Sequence, residues 1–191
     1  MTTEPVEPAS TSRTPSTTAV GVVVWLASEL MFFAGIFAAY FTLRAVNDTW
    51  PPEGVELATA RTALATVILV ASSGTMHLAV NASRQDDRRG AIRWLGVTAL
   101  MGIVFLTNQG FEYAELSFTI SSHAYGSIFY TATGIHGLHV IGGLAFMGAA
   151  AATIAGRSKA PVHQTIEVCA YYWHFVDVVW VAMFLTIYVV K

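Results

Sequence analysis

A small set of ionisable side chains lies inside long apolar stretches of this 191-residue chain. Burying such a group in hydrocarbon costs about 2.5–3.5 kcal/mol for Asp at a helix centre, so these residues carry most of the chemical information. Glu29 is flanked by Leu26, Leu30, Met31, Phe32 and Phe33; a carboxyl among such neighbours must face protein or water, and there it can bind and release a proton. The plainer alternative is a carboxyl that hydrogen-bonds a neighbouring helix and does no more. In YYWHFVDVVW, His174 and Asp177 are spaced i, i+3 between Trp173 and Trp180. That spacing lets both address one neighbour, and a hydrogen-bonded knot gluing helices is favoured over a proton relay. In GIHGLHVIGG, His136 and His139 share the same spacing, and Gly134, Gly137, Gly142 and Gly143 let another element approach closely. With His77 and His174 these histidines are the raw material of a metal or bis-histidine haem site. Bundle histidines that bond a carbonyl or carboxylate are the commoner case, so the five residues His77, His136, His139, His174 and Asp177 are read as a helix-packing polar cluster, with no metal and no catalytic residue.

Positioning these groups requires membrane helices. The chain is 54% hydrophobic and 12% charged, whereas soluble domains average about 25% charged. The net charge of −2 and the absence of a basic, aromatic-interleaved run exclude nucleic-acid binding. The single Cys169 excludes a disulfide framework, a cysteine-rich zinc site and a dinuclear copper centre. Residues 1–19, rich in Thr, Ser, Pro and Glu, read as a disordered cytoplasmic tail. The stretch Val20 to Leu43 is too long for a signal-peptide core of about 7–15 residues. A bilayer core needs roughly 20 apolar residues, and uncharged runs supply five spans in 20–191: about 20–43, 62–83, 93–115, 125–153 and 167–190. Backbone polar groups at membrane depth must be satisfied within each segment, so the fold class is an all-α membrane bundle. Seven Lys and Arg fall in the segments on the N-terminal side of the membrane and three in the others. The positive-inside rule then predicts a cytoplasmic N-terminus, an outer C-terminus and a bacterial plasma-membrane location.

Polar residues near the span ends read as interfacial. Glu112 and Glu115, at the outer end of the third span, are placed where water or an arginine reaches them. Trp50-Pro51-Pro52 predicts a rigid, extended outer turn with Trp50 as an interface anchor. Arg84, Arg157 and Lys159, in the inner loops, are candidates for lipid head groups. A proton-coupled transporter built on Glu29 and Asp177 is disfavoured by the lack of an internal repeat and of Gly/Pro-broken helix pairs.

ASELMFFAG (27–35), WPP (50–52), QGFEY (109–113), AYGSIFYTATGIHGLHVIGG (124–143) and YYWHFVDVVW (171–180) together resemble subunit III of cytochrome c oxidase. The resemblance covers nearly the whole chain after the tail, in the short bacterial form that lacks the first two helices of larger members. It implies a subunit without a redox centre, packed on the catalytic subunit I and other oxidase subunits, with haem and copper held by those partners. It also implies bound phospholipid, support of proton uptake and protection against turnover inactivation. Glu29 matches the family position that reacts with a hydrophobic carbodiimide, a reagent that requires a protonated carboxyl in an apolar place. Quinol oxidases and an accessory protein of nitric oxide reductase share the bundle and the GxHGLHV run; Ser28-Glu29 and WPP resemble the cytochrome c branch more closely.

Overall fold

The computed structural model describes residues 17–156 and 162–190. Among them the chain forms α1 (Thr17–Ala45), α2 (Thr59–Arg84), α3 (Arg88–Glu115), α4 (Ala124–Ala155) and α5 (Val162–Phe184), the last continuing as a π-helical segment, Leu185–Val190. All five are long and apolar enough to cross a membrane. The expected tail lies outside the described residues up to residue 16, and residues 17–19 belong to α1. Arg157 and Lys159 also lie outside the described residues.

The helices run beyond the uncharged segments because their charged ends are satisfied locally. Asp87 caps α3 by accepting from the Gly90 amide at 2.9 Å, which brings Arg88 and Arg89 inside the helix. The turn before it is made by Asp86 at φ 57°, a left-handed conformation that Asp tolerates. His123 Nδ1 accepts from the Gly126 amide at 2.8 Å and starts α4 at the end of the polar SFTISSHA turn. A Cβ on Gly126 would meet the Thr119 carbonyl at 2.5 Å, so this cap requires glycine. Between α1 and α2, Trp50 packs edge-on against Tyr40 and Tyr125 at 5.4 and 5.1 Å, across a cis Trp50–Pro51 peptide. The tryptophan thus sits among rings of α1 and α4 as well as near the bundle end.

Helix α5 is the hub, packing on α1, α2 and α4, while α2 also pairs with α3 and α3 with α4. Of the five helices α5 is the most deeply buried and α1 the least, which makes α1 the peripheral helix. The buried residues of α1, Ala19, Leu26, Phe33 and Tyr40, recur every seven positions, the narrow seam by which one helix lies along another. Trp173, fully buried, is the wedge at the centre. A Cβ on Gly102 of α3 or Gly143 of α4 would come within 2.7 and 2.8 Å of its indole. Both glycines are therefore there to admit the ring.

Candidate functional site

Three groups of polar side chains that include the candidate residues bridge helices of the bundle. The first is a ladder of hydroxyls along α2 facing α5. Ser83 Oγ meets His163 Nδ1 at 3.3 Å, Ser72 Oγ accepts from Trp173 Nε1 at 2.8 Å, and Thr66 Oγ1 accepts from Trp180 Nε1 at 2.9 Å. Partners step back along α2 as they advance along α5, the register of an antiparallel pair. In the middle, Ser73 binds both His174 and Asp177: its hydroxyl donates to Asp177 Oδ2, and His174 Nδ1 lies 2.9 Å away. The i, i+3 pair thus meets one neighbour, as its spacing predicts, and Asp177 Oδ1 is buried without a partner.

The second group joins α1 to α4 and α5. His139 Nδ1 lies 2.9 Å from the Ile135 carbonyl, which can only accept, so this nitrogen carries a proton. Its Nε2 faces Glu29 Oε2 at 3.2 Å. Either the carboxyl is protonated and donates to a neutral ring, or the ring is imidazolium and donates to a carboxylate. In both states the pair holds one shared proton and is neutral overall, which is how an acid and a histidine can coexist at membrane depth. The side chains are 25% and 16% exposed, so the pair lies at the edge of the bundle rather than in its core. Trp25, one turn before Glu29, stacks on Tyr172 at 5.5 Å, and Tyr172 donates to the His139 carbonyl at 2.9 Å.

His136 and His139 do not act together, contrary to what their spacing suggested. Positions three apart on a helix diverge by about 60°, and α4 is flanked on both sides. His136 turns inward between Phe33, Phe105 and Trp180, with ring centroids at 6.5, 6.0 and 5.0 Å, and neither ring nitrogen has a protein partner. His77 also departs from the expected cluster. It is exposed on α2 and takes part only as an electrostatic neighbour of His174. Among the described residues no three His, Cys, Asp or Glu side chains are arranged to hold a metal. The aromatic enclosure of His136 does not fit a haem on this chain.

The third group overturns the interfacial reading of Glu112. That side chain is 1% exposed. Its Oε2 accepts from Tyr188 OH at 2.8 Å, Thr62 Oγ1 at 3.1 Å and Gln109 Nε2 at 3.5 Å. The Ala58 backbone also approaches the carboxyl group. Tyr188 belongs to the π-helical end of the chain, whose loosened carbonyls take other donors: Tyr40 OH reaches Thr186 O at 3.2 Å and Arg44 reaches Val190 O at 3.3 Å. Glu115 behaves as expected of an end residue, pairing with Arg61 at 2.8 Å in the open. At the opposite end Arg84, 43% exposed, lies 4.0 Å from Glu167, which leaves it only a weak internal partner.

The described residues thus hold buried polar ties between helices and a Glu29–His139 contact at the bundle's edge. The cytochrome c oxidase subunit III family matches residues 7–191, nearly the whole chain. The chain is 48% identical over 182 residues to a probable cytochrome c oxidase subunit 3 of Nocardia farcinica, covering 93% of this chain and 90% of the relative. It is 47% identical over 182 residues to a probable cytochrome c oxidase subunit 3 of Mycobacterium leprae, with the same coverage. The cytochrome c oxidase subunit 3 of Synechocystis is 40% identical over 175 residues, 88% of this chain and 73% of the relative. Five membrane-crossing helices joined by buried polar ties, the motifs that build those ties, and likeness along nearly the full length agree on one assignment: the chain belongs to the cytochrome c oxidase subunit III family.

Proposed function

We propose that this chain is the non-redox subunit III of a proton-pumping cytochrome c oxidase, packed on the catalytic subunit I that holds haem and copper. In this role it binds phospholipid, sustains proton uptake and protects the complex from inactivation during reduction of oxygen to water. The N-terminus is placed in the cytoplasm and Lys191 outside, following the distribution of Lys and Arg. The observation that carries the proposal is the Glu29–His139 pair: an acid of the ASELMFFAG motif lies 3.2 Å from the imidazole of a histidine of the GIHGLHV motif. A carboxyl that holds a proton at membrane depth is the form a hydrophobic carbodiimide attacks. The exposed imidazole of His77 supports a partner contact, since a histidine facing lipid is costly and one covered by another subunit's polar group is not. Arg84, with its long and partly exposed side chain, remains available to a lipid phosphate.

The pair makes a specific prediction. In Glu29→Gln the amide N–H donates to neutral His139 Nε2, so the contact and its neutrality survive. Assembly and electron transfer are expected to be retained, and labelling by a hydrophobic carbodiimide is expected to fall to background, measured by mass spectrometry of the labelled subunit. Labelling that persists in the variant would assign the reactive carboxyl elsewhere, with Asp177 the first alternative because its Oδ1 is unpartnered.

A further inference from the structure

Val67, Val70, Gly74, His77 and Leu78 recur along α2 at steps of three or four residues, so they share one helical face, and all five are exposed. One of them does not suit lipid. His77 lies seven residues before Arg84, the last residue of α2, which is about 10 Å from that end at 1.5 Å per residue. The 26-residue helix is about 39 Å long against a hydrocarbon core of about 30 Å, so the imidazole lies within the apolar thickness and below head-group level. His174 of α5, half-buried, stands near enough to interact with it electrostatically. Only Nδ1 of His174 has a hydrogen-bond partner, Ser73, and His77 has none among the described residues.

Gly74, one turn before His77, is an independent observation. A Cβ there would meet nothing within 4 Å, unlike those at Gly102 and Gly143, so no contact inside this bundle requires the glycine. Glycine weakens a helix relative to alanine, and in membrane helices small residues let another helix approach closely. Ionisable groups at membrane depth pair with one another, because leaving one in lipid is costly. We propose that this face receives a transmembrane helix of another oxidase subunit, lying against Gly74 and presenting an Asp or Glu carboxyl to His77 and His174, a proposal that rests on reading the chain as a subunit of that complex.

The chemistry of the partner follows from what the two rings lack. Adjacent imidazoles repel each other when protonated, and a carboxylate both offsets that charge and accepts from either ring. Glu29 and His139, 3.2 Å apart, show within this chain how an acid and an imidazole meet at membrane depth. A second copy of the chain does not supply the acid, since none of the five exposed residues carries a carboxyl and Asp177 is already held by Ser73.

The test uses the intact oxidase. A benzophenone amino acid replaces Leu78, the exposed neighbour of His77, the membranes are irradiated before purification, and the cross-linked peptide is read by mass spectrometry. The adduct is expected on a membrane-spanning segment of another subunit of the complex that contains Asp or Glu. In His77→Leu the chain is expected to dissociate from the complex about three- to tenfold more readily during detergent titration, the equivalent of one interhelical hydrogen bond. Gly74→Leu is expected to do at least as much by blocking the approach. The amount of chain in the membrane should stay at the parent's level in both, because neither residue packs within the bundle. His77→Gln, which keeps an N–H donor for the carboxyl, is expected to behave like the parent. Adducts on lipid alone, on a second copy of this chain or on a segment without an acid would overturn the proposal, as would parental retention of both leucine variants. Lipid adducts on a chain that still co-elutes with its complex overturn this proposal alone, whereas a parent chain free of all other oxidase subunits overturns the reading beneath it as well.

Discussion

Trp173→Ala is expected to destabilise the subunit by about 3–5 kcal/mol, the range for removing a fully buried large side chain from a packed core. The indole touches three helices at once: its Nε1 donates to Ser72 of α2 at 2.8 Å, and its six-membered ring fills the space that Gly102 and Gly143 leave on α3 and α4. Within a membrane the transfer from water contributes little, but the cavity and the lost contacts remain. Trp173→Phe isolates the polar part, because it keeps most of the ring and loses the hydrogen bond. It is expected to cost about 0.6–1.5 kcal/mol. The unfolding midpoint of the detergent-solubilised subunit, followed alongside retention in the complex, measures both. Equal midpoints for the Ala variant and the parent would contradict the hub role of α5.

Glu112→Ala is expected to rank next, at about 2–4 kcal/mol, because it strands the Thr62 and Tyr188 hydroxyls and the Gln109 amide in a buried place. The loss should be local in its first effect. Tyr188 fixes the π-helical end of the chain, so protease access or hydrogen exchange at 185–190 is expected to rise before the rest of the bundle opens. Glu112→Gln retains an acceptor for two of the three donors and is expected to recover most of the stability. Equal behaviour of the Ala and Gln variants would show that the carboxylate is not the acceptor that holds these ends of α2, α3 and the π-helical segment together.

Much of this architecture was legible in the sequence, for reasons that also explain what was not. Five uncharged runs located five helices because charge is expensive in lipid, but their ends were drawn short wherever a charge is satisfied within the fold. Arg61 enters α2 through Glu115, and His163 enters α5 beside Ser83. The shared neighbour of His174 and Asp177 followed from i, i+3 spacing on one helix. The same spacing misled for His136 and His139, because α4 is packed on two sides and an angular offset of about 60° divides their surroundings. Glu112 lay beyond local reasoning. Near a helix end it resembles an interfacial acid, and its burial depends on Tyr188, 76 residues away, reached through a π-helical turn with no composition signal. The run of hydroxyls Thr62, Thr66, Ser72, Ser73 and Ser83 on α2 was the available hint, since hydroxyls recurring on one face of an apolar helix need acceptors or donors on the helix opposite.

As a multi-pass bacterial membrane protein of the subunit III family, the chain is one component of an oxidase complex. The most direct test of the account purifies a tagged form of this chain from its native membrane in mild detergent and records the visible spectrum and the composition of what elutes. The tagged chain is expected to co-elute with a haem-bearing catalytic subunit, with all haem absorbance leaving it when the subunits are separated. A haem retained at a stoichiometric level by the separated chain, or a chain that elutes alone, folded and colourless, would contradict it.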